Sequence, residues 1–224
     1  ANRCLSRVAK RVYTAFPNVL PMAEWVGNPM RSEFLLQLTP EARMFNRSGP
    51  LKVLVLGGSL GAKGLNDVVP QALALMDERT RPQVIHQSGV THIDALRDAY
   101  SNAGVAGDLR PYIEDVAAYM ADADVVVCRA GASTVTELTA VGAAALLVPF
   151  PYAVDDHQTA NAHFLTQADA AWSVQQRELT PQWLANWLAS VNREALLACA
   201  LQASDLAKTH AVHITVQAIQ KEHV

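Results

Sequence analysis

The sequence lacks the features that would place it in several large classes of protein. Cysteine is scarce: Cys4, Cys128 and Cys199 are the only three in 224 residues, far apart, odd in number and without a C-x-x-C pair. That argues against a disulfide framework and a zinc site, and for a reducing compartment. Charge is scarce too, at 17% of residues with a net charge of −3. A protein that holds nucleic acid by bulk positive potential needs the opposite balance, so no nucleic-acid partner is expected. No apolar run approaches the roughly 18 to 20 residues of a membrane-spanning helix. The first ten residues are basic and lack the apolar core of a signal peptide. These features predict a soluble, cytoplasmic protein. There is no initiating Met and the sequence opens in a helical pattern, which predicts a piece of a longer chain.

Half of the residues are hydrophobic, enough for one large domain or for one domain with part of another. From Leu51 onward, strand and helix patterns alternate. Apolar runs at 51–56, 84–86, 109–113, 125–128, 144–148 and 171–174 read as strands. Between them, 62–76, 93–103, 114–121, 133–141 and 157–166 read as helices; in the first, Leu65, Val68, Val69, Ala72, Leu73 and Met76 form one apolar stripe. Pro181 starts a further helix. Alternating units of this kind build an α/β fold: an open, doubly wound parallel sheet with helices on both faces, whose ligands bind beyond the carboxyl ends of the strands. Upstream, short strands are expected at 11–16 and 24–26, a turn at 27–31, and a polar linker at 38–50. Arg3, Arg7, Lys10 and Arg11 share a helical face, readable as a solvated surface or as a contact with an anionic membrane. In the terminal segment 209–224, Val212, Val216 and Ile219 need cover whose source the sequence does not name.

Three strand-to-helix turns stand out. The stretch from Val125 to Glu137 runs from a β-branched strand through small residues into a helix that Ser133 or Thr134 is expected to cap. Its unpaired N–H groups and helix dipole favour an anion, and Glu137, one turn on, is placed to accept hydrogen bonds from neighbouring hydroxyls. A phosphate joined to a sugar suits both halves. The second turn, Gly57-Gly58-Ser59-Leu60-Gly61, lacks the Gly-Lys-Ser/Thr ending of a Walker A loop and the spacing of G-x-G-x-x-G. It does match G-x-S-x-G, which makes an α/β-hydrolase with Ser59 as nucleophile the rival reading. Against that rival, the candidate acid and base, Asp155 or Asp156 with His157, are neighbours on one loop and cannot easily line up behind a distant serine. In the third turn Gln158 and Asn161 sit at i and i+3 on one helix face, two amides suited to vicinal hydroxyls; the alternative is ordinary capping by Asp156 with polar surface beyond. Asp122-Ala123-Asp124 could in principle hold a divalent cation. It lies at the N-terminal edge of its strand, opposite to where ligands bind, so structural acids and no metal site are expected.

Six motifs in one order carry a resemblance: Gly27-Asn28-Pro29-Met30-Arg31, Gly57 to Ala62, Ala123 to Ala132, Thr134 to Glu137, Val148 to Pro151, and Asp156 to Ala162. Together they resemble the C-terminal half of the MurG family, bacterial transferases that move N-acetylglucosamine from UDP-GlcNAc to lipid I, giving lipid II for peptidoglycan. The resemblance implies a GT-B glycosyltransferase whose C-terminal, Rossmann-like domain (51–208) binds the nucleotide-sugar. It also implies a remnant of the acceptor domain at 1–37, the linker at 38–50, and a final helix at 209–224 that crosses to the N-terminal domain. It places Ser59 and Thr134 at the diphosphate, Arg31 near the cleft, the backbone of Ile113 at the uracil and Glu137 at the ribose. Ala132, through its backbone, would join Gln158 and Asn161 around the N-acetylglucosamine, with Ser133 and His157 beside them. The reaction implied is a single inverting displacement without metal or other cofactor, at the cytoplasmic face of the inner membrane with peripheral membrane contact. The family's glycine-rich N-terminal loops, with the proposed catalytic histidine, have no counterpart here. The expectation is therefore a chain that binds donor and transfers poorly or not at all, either as part of the whole enzyme or as the donor subunit of a split one.

Overall fold

A computed structural model describes residues 2–58, 61–153 and 156–222. In order, the elements are α1 (Asn2–Leu5), β1 (Tyr13–Thr14), β2 (Glu24–Trp25), a 3-10 turn (Ser32–Leu35), α2 (Pro40–Met44), β3 (Lys52–Leu56), α3 (Lys63–Ala74) and β4 (Gln83–Gln87). They continue with a 3-10 turn (Val90–His92), α4 (Ile93–Asn102), β5 (Asp108–Arg110), α5 (Val116–Asp122), β6 (Val125–Cys128), α6 (Ala132–Val141) and β7 (Ala145–Leu147). The last are α7 (His157–Thr166), β8 (Trp172–Ser173), α8 (Pro181–Ser190), α9 (Arg193–Asp205) and α10 (Ala211–Glu222).

Six strands form one parallel sheet in the order β5-β4-β3-β6-β7-β8. The chain builds outward from β3 to β5, then returns to the other side of β3 with β6. Alternation along each strand divides the core in two. Val53, Val55, Val125, Val127 and Leu146 face Leu65, Leu73, Leu96, Leu184 and Leu196 on α3, α4, α8 and α9. Leu54, Leu56, Val126, Cys128 and Leu147 face Met120, Val135, Leu138 and Leu165 on α5, α6 and α7. Burial on both faces is why these strands read as continuous apolar runs, and each fully buried large side chain is worth about 1.5–3 kcal/mol.

The polar stretch 38–50 is not coil throughout. It carries α2, capped by Thr39 and started by Pro40. Arg43 on α2 donates to the carbonyls of Ala121 (2.9 Å), Val141 (2.8 Å) and Gly142 (2.6 Å), so one guanidinium closes the C-terminal ends of α5 and α6. Burial pushes its pKa down to about 10, which leaves it charged at neutral pH. Pro40 packs where Gly142 ends α6 in the left-handed conformation (φ +64°); a Cβ there would come within 2.8 Å of the proline ring. Strands β1 and β2 pair in parallel, and Phe16 and Trp25 pack on Phe164 of α7 with ring centroids 5.3 and 5.6 Å apart. Helix α10 leaves Val212, Val216 and Ile219 exposed.

Candidate functional site

Because the chain crosses over between β5 and β6, the turns after β3 and β6 open side by side at the carboxyl edge of the sheet. The turn after β3 rests on β4: the Gly57 N–H donates to the Gln87 carbonyl at 3.1 Å. Gly61 has φ +77°, and a Cβ there would fall 2.4 Å from the Ser88 carbonyl oxygen and 2.6 Å from the His92 ring, so no other residue fits. A buried polar chain supports this floor. The Tyr100 hydroxyl meets His86 Nδ1 and Asn66 Oδ1 meets His86 Nε2, each at 3.1 Å, while Asn66 Nδ2 donates to the Ser88 carbonyl at 3.3 Å. Burial pushes the His86 pKa down to about 3, so the imidazole is neutral at physiological pH and the arrangement does not titrate there. Ser59 and Leu60 lie outside the described residues.

The turn after β6 departs from expectation in one respect. Gly131, extended at φ −64° and ψ 149°, is the N-cap of α6 and offers no side chain, so Ser133 and Thr134 sit inside the first turn and cap nothing. The first helical bond runs from the Val135 N–H to the Gly131 carbonyl at 2.9 Å. The N–H groups of Ala132, Ser133 and Thr134 thus have no backbone partner among the described residues, and no side chain caps them. One turn on, Glu137 is half-buried; desolvation raises its pKa above the usual carboxylate range, opposed by the charge of Arg31. A cleft of about 290 Å³ brings Ser133, Thr136 and Glu137 against Asn28, Pro29, Met30 and Arg31. Arg31 is exposed, lies 5.2 Å from the Phe34 ring centroid and pairs loosely with Glu33 at 3.9 Å. Three expected residues, Arg31, Ser133 and Glu137, therefore share one cleft, and Thr136 joins them.

The amides on α7 lie outside that cleft's lining and are tied to the loops after β6 and β7. Asn161 Nδ2 donates to the Ala130 carbonyl at 3.0 Å, and Gln158 Oε1 accepts from the Phe150 N–H at 2.9 Å. Each amide is anchored through one half. That leaves the Asn161 oxygen as an acceptor and the Gln158 NH₂ as a donor. Asp156 adopts the left-handed region at φ 51° and does not cap α7; its carboxylate accepts from the Thr159 hydroxyl at 2.7 Å. His157 opens α7 and is exposed, and Asp155 lies outside the described residues. Ile113, in the loop after β5, buries its side chain, while neither its N–H nor its C=O has a backbone partner among the described residues. Only its backbone could be offered to a ligand.

Arg129 directly follows β6, and its position in the sequence alone does not point to a role. Its guanidinium donates to the Val148 carbonyl at 3.1 Å, to the Pro149 carbonyl at 3.4 Å and to Gln176 Oε1, and lies 5.4 Å from the Phe150 ring centroid. At the other end of β6, Asp124 is fully buried, accepting from Arg47 (3.0 Å), Arg193 (2.9 Å) and the Lys52 N–H (2.8 Å). Burial alone would raise its pKa, but Arg193, the Lys52 N–H and Arg47 together hold it below the usual range. Asp122 pairs with Lys52 at 2.8 Å. The Asp122–Asp124 acids thus serve ion pairs within the fold. A larger cavity, about 620 Å³, opens at this N-terminal edge between Lys52, Gln83, Asp108 and Tyr119 and includes none of the turn residues.

The glycosyltransferase family 28 C-terminal domain matches residues 52–217, spanning β3 through most of α10. This chain belongs to that family. Among family 28 relatives, an Acidovorax sp. (strain JS42) protein named UDP-N-acetylglucosamine–N-acetylmuramyl-(pentapeptide) pyrophosphoryl-undecaprenol N-acetylglucosamine transferase is 58% identical over 221 residues, covering 99% of this chain and 55% of that protein. A protein of the same name from Bordetella pertussis (strain Tohama I) is 55% identical over 212 residues, covering 95% of this chain and 58% of that one. The crystal structure of Acinetobacter baumannii MurG superposes with a TM-score of 0.88 at 39% identity, over 98% of this chain and 62% of that one. The chain therefore spans a little over half the length of the curated relatives it matches. The parallel sheet with helices on both faces is the Rossmann-like architecture of a GT-B C-terminal domain.

Proposed function

We propose that this chain is the donor-binding part of a transferase that moves N-acetylglucosamine from UDP-GlcNAc to the lipid-linked muramyl acceptor, lipid I, giving lipid II for peptidoglycan. The carrying observation is the uncapped start of α6, with three N–H groups lacking backbone partners among the described residues and a half-buried carboxylate one turn on, beside a cleft lined by Arg31. The N–H groups and the helix dipole suit a diphosphate, and Glu137 suits ribose hydroxyls. The half-anchored amides of Gln158 and Asn161 suit the hydroxyls and N-acetyl group of the sugar, with His157 and the Ala132 backbone beside them. Thr134 and Ser59 are proposed at the phosphates, and the backbone of Ile113, without a backbone partner among the described residues, at the base. The names of the relatives supply the identity of the sugar, the nucleotide and the acceptor.

In the reaction proposed, the acceptor hydroxyl attacks the anomeric carbon in a single inverting displacement. The departing UDP takes up negative charge, which the α6 N–H groups and dipole stabilise without rearrangement. The base that removes the acceptor proton is proposed to come from the portion of the relatives that this chain does not span. A requirement for a divalent ion in direct contact with the donor would rule this scheme out. Among the described residues no helix is long and apolar enough to cross a membrane. Exposed Leu5, Val8, Val19 and Met22 near Arg7 support peripheral contact with an anionic, cytoplasmic membrane face.

Isothermal calorimetry with UDP-GlcNAc, UDP-glucose and a TDP-sugar tests the donor assignment. UDP-GlcNAc is expected to bind most tightly. Equal affinity for all three, or no binding of the first, refutes it.

A further inference from the structure

We infer that Arg129 is a positioning residue for the sugar end of the donor, acting through Phe150 and Gln158. The inference rests on the donor site proposed above. Arg129 is a partly buried cation, and desolvation lowers its pKa. Among the described residues no carboxylate pairs with it; its acceptors are the Val148 and Pro149 carbonyls and Gln176 Oε1. A guanidinium held by neutral oxygens gains little Coulomb energy, so its fixed fork geometry is what this place uses.

That geometry ties three loops together. Arg129 follows β6, Val148 and Pro149 follow β7, and Gln176 follows β8, with the Gln176 side chain lying over Gly64 on the first turn of α3, where a Cβ would come within 2.9 Å of it. The guanidinium also lies over the ring of Phe150, the next residue along the β7 loop. Phe150 is thereby held at its carbonyl-flanked start and at its ring, and its N–H is aimed at Gln158 Oε1, 2.9 Å away. With its oxygen anchored by the Phe150 N–H, Gln158 keeps its NH₂ as a donor toward sugar hydroxyls or the N-acetyl carbonyl. The loop needs such a fastening, because α7 begins at a left-handed Asp156 without a side-chain cap. The chain of contact is Arg129, the β7 loop, the Phe150 N–H, the Gln158 amide and the sugar. Arg129 need touch neither sugar nor phosphate.

The test is calorimetry on the whole 224-residue chain with UDP and with UDP-GlcNAc, read as the ratio of the two affinities. Arg129→Lys keeps the charge but loses the fork. It is expected to lower the preference for UDP-GlcNAc over UDP by about tenfold, the worth of one or two hydrogen bonds, while UDP affinity changes less than about twofold. Gln176→Leu, which loosens the guanidinium from the far side, is expected to move the ratio in the same direction by a smaller factor and serves if the first variant does not fold. In a Gln158→Ala background, Arg129→Lys is expected to have no further effect on the ratio. A loss shared equally by UDP and UDP-GlcNAc, an unchanged ratio in both variants, or additive effects with Gln158→Ala would overturn the inference. Failure of the unaltered chain to bind UDP-GlcNAc would instead refute the donor site itself.

Discussion

The two ends of β6 are built on opposite plans. At the N-terminal end the carboxylates are paired: Asp124, fully buried, is shared by Arg47, Arg193 and the Lys52 N–H, and Asp122 is held by Lys52. At the C-terminal end of this four-residue strand the groups are left open among the described residues: α6 starts without a side-chain cap, no carboxylate pairs with Arg129, and Glu137 is desolvated, a cost that the charge of Arg31 opposes. Burying polar groups without partners costs free energy, so a fold retains them where something else completes them. Satisfied charge marks a joint in the scaffold. The open groups at the other end are where the proposed ligand would bind.

The largest expected effect tests the joint. Asp124→Ala strands two partly buried arginines and is expected to cost about 3–5 kcal/mol in urea unfolding, the usual penalty for removing one partner of a buried pair. Nucleotide affinity of the folded protein should not change; if it falls as far as stability does, the two ends are not separable. Next comes Glu137→Ala, expected to weaken UDP binding by about 1–3 kcal/mol while unfolding stability holds or rises, since a desolvated carboxylate is removed. A loss of stability comparable with the loss of affinity would contradict the division.

The two carboxylates should also titrate in opposite senses. Asp124 has its pKa lowered from 3.8 in the folded state, so its stabilisation is complete above that value and is lost as pH falls toward the lowered one. Glu137 has its pKa raised from 4.5, so stability declines as pH rises from 4.5 through the raised value. Urea midpoints followed across this acid range should show the first slope flattened in Asp124→Asn and the second in Glu137→Gln; slopes that survive both substitutions would assign the titration to other groups. The smallest effect sharpens the ligand end. Gly131→Asp fits its extended backbone, since a Cβ would meet only Thr134 Oγ1 at 3.7 Å, and should cap α6 for a few tenths of a kcal/mol of stability. It should weaken nucleotide binding at the same time, because the new carboxylate takes the N–H groups and repels an anion. Tighter nucleotide binding would refute an anion site there.

Much of this contrast is legible in the sequence, and what is not has a common cause. Val125 to Cys128 reads correctly as a strand because burial on both faces leaves an unbroken apolar run, a property of the local pattern. The helices expected at 93–103 and 157–166 are found at Ile93–Asn102 and His157–Thr166. The error at Ser133 and Thr134 is also local. Hydroxyl residues near a helix start are equally compatible with the cap and with the first turn, and only the backbone angles of Gly131 decide between them. The polar stretch 38–50 reads as a linker because the carbonyls that Arg43 closes lie 78 to 99 residues further along the chain. The role of Arg129 is not legible for a similar reason, its Gln176 partner being 47 residues distant.

By itself, then, the sequence determined the alternation of strand and helix, the parallel sheet it must build, and the three turns where an anion and a sugar could be held. These follow from periodicity and from the stereochemistry of glycine and of helix ends, which act over a few residues. The tertiary structure alone decided which of the polar groups at those turns are consumed and which remain open. It turned one half of each α7 amide inward, satisfied Asp124 while leaving α6 uncapped, and set Arg129 across three loops. Hydrogen bonds are satisfied by whatever the fold brings within reach, and reach depends on the packing of segments far apart in the chain.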